Sequence, residues 1–221
     1  MNVPVIAIDG PSASGKGTVA SLVASRLGFH YLDSGSLYRL VALYADQQGI
    51  DWDDEAALAR AALTLPASFV DGRVLLSGND AGAAIRAEHI GIGASRVGAL
   101  PAVRSALLQR QRDFRVLPGL VTDGRDMGSV VFPDADLKIF LTASADERAA
   151  RRYKQLIDKG ESANLPRIRQ DIIDRDRRDA ARPVAPLRQE PDAFLLDTTA
   201  LTVDQTVEKV LAWFADKVSS A

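Results

Sequence analysis

At 221 residues the chain is long enough for one hydrophobic core, and its 47% apolar and 25% charged residues are ordinary for a globular domain. It has no cysteine, which excludes disulfides, thiolate metal sites and cysteine nucleophiles. A net charge of −2, no signal-type start and no apolar run of about 18 residues argue against nucleic-acid or membrane partners, so we expect a cytoplasmic protein.

A glycine-rich segment near the start, DGPSASGKGT at 9–18, carries the strongest functional signal. It follows a β-branched apolar run, Val3 to Ile8, and precedes an amphipathic helix expected to begin near Lys16 and to stop at Gly28. Strand, glycine loop and helix in this order are the setting of a phosphate-binding loop. The apolar face of the helix is predicted to carry Val19, Leu22, Val23 and Leu27.

One position departs from the common pattern of such loops, which ends Gly-Lys-Ser/Thr. Gly17 follows Lys16, and the hydroxyl comes one residue later at Thr18. We therefore assign no direct metal ligand and leave open that Thr18 binds phosphate. The alternative of an ordinary glycine-rich turn is disfavoured because strand, spacing, lysine and helix all agree.

Five short apolar segments predict buried parallel strands. They are Val3–Ile8, His30–Leu32, Leu120–Thr122, Leu137–Leu141 and Ala193–Leu196. Helical patterns lie between most of them, so we predict an α/β fold: a five-stranded parallel sheet of the P-loop NTPase type, flanked by helices.

Two capping boxes mark helix starts in the second half of the chain. Ser144 with Glu147 opens a helix expected to run to about Gly160, and Thr202 with Gln205 opens the last helix. The apolar residues of that last helix repeat at helical spacing: Val203, Val207, Val210, Leu211, Phe214 and Val218.

The span between the second and third strands is too long for a simple crossover. It contains a predicted helix at Ser36–Gln48, a hairpin at Ser68–Leu76 with Asp71-Gly72 at its turn, and a helix at Val103–Arg115. We interpret residues 36–115 as an inserted substrate-binding subdomain within a single domain, 1–221.

Polar, glycine-bearing corners follow two of the predicted strands, where α/β proteins bind ligands. Helix capping explains the corner Asp33–Arg39 as well as ligand binding does. The corner Asp123–Gly128 favours a site, because a neutral connection rarely needs Asp, Arg and Asp between two glycines.

Arginines cluster on two predicted helices near the C-terminal half. Arg175, Arg178 and Arg182 fall at one-face spacing, and a second set contains Arg148, Arg151 and Arg152. A solvated, self-paired face is the alternative, supported by Asp179 four residues after Arg175. The phosphate loop favours arginines that converge on phosphates.

These features together predict phosphoryl transfer. Transfer between two anionic molecules requires cations on several sides to cancel their repulsion. A phosphate-monoester acceptor, with a second pKa of about 6, needs no catalytic base. The two histidines, His30 and His89, lie in no obvious motif, so the residues by themselves indicate a small phosphoryl-transfer enzyme without naming its substrate.

Taken in order, six segments resemble the bacterial cytidylate kinase family. They are IDGPSASGKGT (8–18), LDSGSLYR (32–39), LQRQRDF (108–114), DGRDMGSVVFPDA (123–135), KIFLTAS (138–144) and RDAARPVAPL (178–187). The resemblance covers nearly the whole chain, and DGRDMG is its most distinctive part. The Asp-Arg-aromatic triplet of thymidylate kinases is absent.

The resemblance implies transfer of the ATP γ-phosphoryl to CMP or dCMP with Mg²⁺, by a monomer with an acceptor-binding insertion and a short helical lid at 145–183. It implies three catalytic residues: Lys16, Arg125 and Arg182. It implies an ATP site formed by Gly10, Pro11, Ser12, Ala13, Ser14, Gly15, Lys16, Gly17, Thr18, Arg148, Arg151 and Arg175. It implies a CMP site formed by Ser34, Arg39, Ser95, Arg104, Arg125, Asp126, Asp179 and Arg182. Ser95, Arg104 and Asp126 would read cytosine. Pro183 stands where some members of the family have a small residue after the arginine. Because proline is excluded from a helix interior, it predicts that the lid helix ends by about Arg182.

Two alternatives remain open at this point. A kinase for another small acceptor, such as UMP, would share the same chemistry. A regulatory switch that slowly hydrolyses ATP or GTP belongs to another class, but the chain has no guanine-reading Asn-Lys-x-Asp segment. Fast turnover that depends on CMP would exclude the switch.

Overall fold

A computed structural model describes residues 3–70 and 72–219. The elements in chain order are β1 (Val5–Asp9), α1 (Lys16–Leu27), β2 (His30–Asp33), α2 (Ser34–Gln48), α3 (Glu55–Leu63), β3 (Ala67–Val70), β4 (Arg73–Leu76), β5 (Asn79–Asp80), α4 (Glu88–Val97), α5 (Pro101–Arg112), β6 (Leu120–Gly124), β7 (Leu137–Thr142), α6 (Ala145–Asp158), α7 (Leu165–Ala180), β8 (Phe194–Asp197) and α8 (Val203–Ser219). A 3₁₀ turn at Ala84–Arg86 and a π-helix at Met127–Val131 complete them.

The described residues divide into two compact units. Residues 33–113 form one, called here the insert unit, and residues 3–32 with 114–219 form the other, called the sheet unit. No helix of the described chain is both long enough and apolar enough to cross a membrane.

The five predicted strands are confirmed and form one sheet in the order β2-β6-β1-β7-β8. β1 pairs in parallel with β6 and with β7, and β7 pairs in parallel with β8. Burial of all five strands was predicted, and this is wrong at the edges: His30 of β2 and Leu195 of β8 are exposed. An edge strand has a neighbour on one side only, so it is covered less than the central strands.

Helices α1 and α8 cover the sheet with a shared apolar core. Val19 and Val23 of α1 are buried with Val207, Val210 and Phe214 of α8. The predicted inward position of Leu22 is wrong, since it is 39% exposed, and Val203 and Val218 are exposed because they lie at the two ends of α8. Helix α1 stops at Gly28, as predicted, and Gly28 has the left-handed conformation common at helix ends.

The capping box at the start of α8 is confirmed by reciprocal bonds: Gln205 N–H donates to Thr202 Oγ1 (3.2 Å), and Thr202 N–H donates to Gln205 Oε1 (3.0 Å). Only half of the other box forms. Ser144 Oγ accepts the N–H of Glu147 (3.2 Å), but the Glu147 carboxylate pairs with Arg151 instead (2.8 Å).

The described residues of the insert unit form four α-helices, a 3₁₀ turn and a small antiparallel sheet, β3-β4-β5. The predicted first helix begins at Ser34 because the Asp33 carboxylate caps it, accepting the N–H of Ser36 (3.1 Å). The predicted hairpin is present as β3 and β4, and Asp71 of its turn lies outside the described residues. The helix predicted at Val103–Arg115 is α5, which begins at Pro101.

Helix α7 ends at Ala180, so the stop predicted from Pro183 is confirmed. The predicted single helical face of Arg175, Arg178 and Arg182 is wrong, because Arg182 lies beyond the end of the helix. Arg178 is exposed on α7.

Candidate phosphate-binding site

The glycine-rich loop connects the end of β1 to the start of α1, as its sequence predicts. A Cβ on Gly10 would lie 2.0 Å from the carbonyl oxygen of Leu141 in β7, so only glycine lets the chain leave the sheet here. Gly15 has a φ of 89° and Ala13 a φ of 57°, both in the left-handed region. Ser14 between them does not have a positive φ, so left-handed and ordinary residues alternate along the loop. This alternation turns successive backbone N–H groups toward one side and forms a concave, anion-binding surface.

Three cations hold the loop through its carbonyl groups. Lys16 Nζ lies 3.3 Å from the carbonyl oxygen of Pro11. Arg148 Nη1 donates to the carbonyl of Ser12 (3.0 Å), and Arg151 Nη1 donates to that of Ser14 (3.2 Å). Helix α6, which carries both arginines, therefore holds the loop from outside.

Arg148 is buried and makes an ion pair of 2.7 Å with Asp176 of α7. Arg151 donates to the carbonyl oxygen of Thr198 (2.7 Å) and to its hydroxyl (3.1 Å), directly after β8. Thr198 was missed by sequence reasoning because nothing in its local sequence distinguishes it from an ordinary loop threonine.

A buried carboxylate joins two of the predicted catalytic arginines. Asp179, fully buried on α7, accepts a hydrogen bond from Arg125 Nε (2.7 Å) and another from Arg182. Burial opposes ionisation of this carboxyl, but the charges of Arg125, Arg182 and Arg175 outweigh it and hold the Asp179 pKa below its ordinary value. Arg125 Nη2 also donates to Ser12 Oγ (2.9 Å), so the cluster is bonded to the loop.

Asp9, the last residue of β1, is a functional candidate that sequence reasoning missed. Its buried carboxylate accepts the backbone N–H groups of Met127 and Gly128, each at 2.8 Å. Burial raises the pKa of Asp9 to about 6, although those N–H groups and Lys16 favour the charged form. The carboxylate thereby holds the segment directly after Arg125 and Asp126. The signal available in the sequence was an acid at the end of an otherwise apolar strand.

A second acid, Asp123, lies near the end of β6 beside the loop. It accepts a hydrogen bond from the Tyr31 hydroxyl of β2 (2.7 Å). A Cβ on Gly17 would lie 3.4 Å from that hydroxyl and 3.7 and 3.8 Å from the two carboxylate oxygens. Three oxygens therefore face the position where the common loop pattern has Ser or Thr, while Thr18 is exposed on α1.

The predicted acceptor residues are divided between the two units. The sheet unit contains Arg125, Asp126, Asp179 and Arg182, and the insert unit contains Ser34, Arg39, Ser95 and Arg104. Asp126 is buried immediately before the π-helix.

Each predicted cation of the insert unit is held by that unit's own backbone. Arg39 donates to the carbonyl of Ile85 (2.8 Å). Arg104 donates to the carbonyl of Gly98 (3.0 Å) and lies over the Tyr38 ring at 5.4 Å. Ser34 is buried, and Ser95 is half-buried on α4.

A parallel α/β sheet with this loop at the end of its central strand defines a nucleotide-binding protein of the P-loop class. A gluconokinase from Sinorhizobium meliloti has a similar fold, with a TM-score of 0.50 at 15% identity, covering 96% of this chain and 92% of that chain. At this identity the likeness concerns the fold alone.

Sequence comparison identifies the family. The cytidylate kinase family model matches residues 6–216. A cytidylate kinase of Chromobacterium violaceum is 78% identical over 220 residues, covering 100% of this chain and 99% of the relative. One of Cupriavidus necator is 61% identical over 213 residues, covering 96% of each. The chain belongs to the cytidylate kinase family.

Proposed function

We propose that this protein transfers the γ-phosphoryl group of ATP to CMP or dCMP, releasing ADP and CDP or dCDP. The proposal follows the family and its relatives named cytidylate kinase. The observation that carries the proposal is that Arg125 donates hydrogen bonds both to Ser12 of the loop and to the buried Asp179. These bonds link the loop proposed to bind the ATP phosphates to an arginine cluster suited to a second phosphate.

The loop residues Gly10 to Thr18 would bind the ATP phosphates through backbone N–H groups, with Lys16 supplying charge toward the transferred group. Arg148 and Arg151 support this role by holding the loop carbonyls. Arg175 is the third arginine of the proposed ATP site, and residues 145–183 are proposed to act as the lid.

Arg125 and Arg182 would neutralise the acceptor phosphate and the charge of the transition state. Asp179 lies between them and offsets the repulsion of two nearby guanidinium groups. The acceptor phosphate then attacks the γ-phosphorus directly, and the bond to the ADP oxygen breaks.

The remaining predicted residues would bind the nucleoside part of the acceptor. Asp126, Ser95 and Arg104 offer a carboxylate, a hydroxyl and a guanidinium, which complement the amino, ring-nitrogen and carbonyl groups of cytosine. Ser34 and Arg39 would contact the sugar or phosphate. The insert unit is proposed to be the acceptor-binding part.

Mg²⁺ would accompany ATP, and it supplies charge neutralisation of the phosphates when bound. Asp123 suits this ion, because Mg²⁺ prefers oxygen ligands such as carboxylates and both carboxylate oxygens of Asp123 face the Gly17 position of the loop, at 3.7 and 3.8 Å from the site of a Cβ there. The cytoplasmic location and the monomeric state stay predictions.

The test is ADP release with ATP and Mg²⁺ against CMP, dCMP, UMP, AMP, GMP and dTMP. We expect fast, selective turnover with CMP and dCMP, and loss of nearly all turnover in Lys16→Ala at unchanged melting temperature. Lys209→Ala, which removes an exposed lysine of α8, is the matched control. Selectivity for UMP would reassign the acceptor, and slow hydrolysis independent of any acceptor would favour a nucleotide switch.

A further inference from the structure

The loop has Gly17 at the position where the common P-loop pattern has Ser or Thr. In P-loop NTPases a Ser or Thr hydroxyl after the lysine and an acid of a neighbouring strand hold Mg²⁺ together. Gly17 has no side chain, and the next hydroxyl, on Thr18, belongs to an exposed residue. No hydroxyl at position 17 is therefore present to orient the acid Asp123 of β6.

The Tyr31 side chain occupies the neighbourhood of the missing hydroxyl. Its oxygen lies 3.4 Å from the site of a Cβ on Gly17 and donates to Asp123 Oδ1 over 2.7 Å. Asp123 is buried, and Tyr31 is half-buried on β2, the strand next to β6 in the sheet. The bond therefore joins two rigid elements and fixes the direction of the carboxylate.

We propose that Tyr31 is a positioning residue for the metal site: its hydroxyl holds the Asp123 carboxylate toward Mg²⁺ in place of the loop hydroxyl that Gly17 lacks. A neutral phenol is a poor magnesium ligand but a good hydrogen-bond donor to a carboxylate. Its contribution is orientation, and the metal contact belongs to Asp123. This inference rests on the proposed use of Mg²⁺ with ATP.

The variant Tyr31→Phe removes the one oxygen and keeps the ring. Partners that orient a metal-binding side chain are typically worth 10–100-fold in metal affinity. We expect Mn²⁺ to bind the complex with a non-hydrolysable ATP analogue roughly 10-fold more weakly, as measured by the electron paramagnetic resonance signal of free Mn²⁺. The Mg²⁺ concentration for half-maximal turnover should rise by a similar factor, while saturating Mg²⁺ restores the rate and the KM for CMP stays constant.

A second variant tests replacement of the lost hydroxyl. In Tyr31→Phe the oxygen closest to position 17 is gone, so Gly17→Ser can be accommodated there. The double variant should recover Mn²⁺ affinity relative to Tyr31→Phe alone. Tyr44→Phe, which removes the hydroxyl of a partly exposed tyrosine in α2, is the matched control.

Unchanged Mn²⁺ affinity and unchanged Mg²⁺ dependence in Tyr31→Phe would overturn the inference. So would a loss of turnover that saturating Mg²⁺ does not restore, because that result describes a structural role. Failure of the underlying function is recognised separately: the wild-type protein would then bind no Mn²⁺ with the ATP analogue and transfer no phosphoryl group to CMP.

Discussion

Asp9 combines burial, charge and backbone contacts in one side chain. Its folded pKa of about 6 lies above the ordinary value of 3.8 because burial outweighs the two N–H donors. Between these values the folded protein binds more protons than the unfolded chain, so this carboxyl makes the protein less stable as pH rises from about 4 to about 6. A shift of this size corresponds to about 3 kcal/mol.

Asp9→Asn removes this titration, and its effect should depend on pH. The free energy of unfolding of the wild type, minus that of Asp9→Asn, should fall by about 2–3 kcal/mol between pH 4 and pH 7. Urea unfolding at several pH values measures it, with the exposed Asp204→Asn as control. A difference that is flat with pH would contradict the raised pKa.

Asp179 titrates outside that window. The pKa of Asp179 in the folded protein lies below its ordinary value. Its contribution to stability is therefore complete at pH values above the ordinary pKa, and it is lost as pH falls through the lower pKa of the folded state. The two carboxyls therefore act in separate pH ranges and with opposite sign.

Asp126→Ala should weaken acceptor discrimination. A carboxylate that receives the amino group of cytosine is left unpaired by uracil, and an unpaired buried group costs about 1–3 kcal/mol. The KM for CMP should rise and the preference for CMP over UMP should narrow by about tenfold or more. An unchanged ratio of kcat/KM for CMP and UMP would mean that Asp126 does not read the base.

At the scale of elements, helix α6 stabilises the phosphate loop through hydrogen bonds from its arginines to the loop carbonyls. Arg148 is the central contact, since its guanidinium bonds the carbonyls of Ser12 and Ala143 and pairs with Asp176. Arg148 is buried and Asp176 is half-buried, so removal of the Arg148 charge leaves the Asp176 carboxylate, which also accepts the N–H of Ser12 (3.4 Å), without this counter-ion.

Arg148→Met keeps the apolar stem and removes the charge. We expect a loss of about 3–5 kcal/mol of stability and a higher KM for ATP, because the Ser12 carbonyl loses this donor and Asp176 loses this counter-ion. Chemical unfolding and ATP titrations measure the two effects. Arg178→Met, on the exposed face of α7, should change neither, and an Arg148→Met protein with wild-type stability would refute the role assigned to α6.

Over the whole molecule the two units differ in how their sheets are buried. Every residue of β1 and β6 is buried, whereas β3 is exposed except at Ala67 and both residues of β5 are exposed. Backbone bonds covered by few side chains open locally, without global unfolding.

Hydrogen exchange should reveal this difference. Amides of β3 and β4 should exchange with free energies well below that of global unfolding, and amides of β1 should approach the global value. Mass-spectrometric exchange in low denaturant measures both sets in one sample. Equal protection of the two sets would argue against independent opening of the small sheet.

Local patterns account for the elements that the sequence predicted. Strand β1, the loop and α1 are adjacent in the chain, so glycine, lysine and apolar spacing are sufficient to identify them. Helices α3 and α4 were not predicted; α4 contains two glycines, which weaken its helical pattern. Tertiary packing of Ile90 and Val97 compensates for that low propensity.

The sequence by itself determined the phosphate loop, the parallel α/β class and the family, because each depends on neighbouring residues or on motifs read in order. Only the tertiary structure decided which side chains meet. Asp9 and Met127 are 118 positions apart, Tyr31 and Asp123 are 92 apart, and Arg148 and Ser12 are 136 apart. Contacts of that separation arise from strand order and helix packing, which bring together side chains that no local pattern relates.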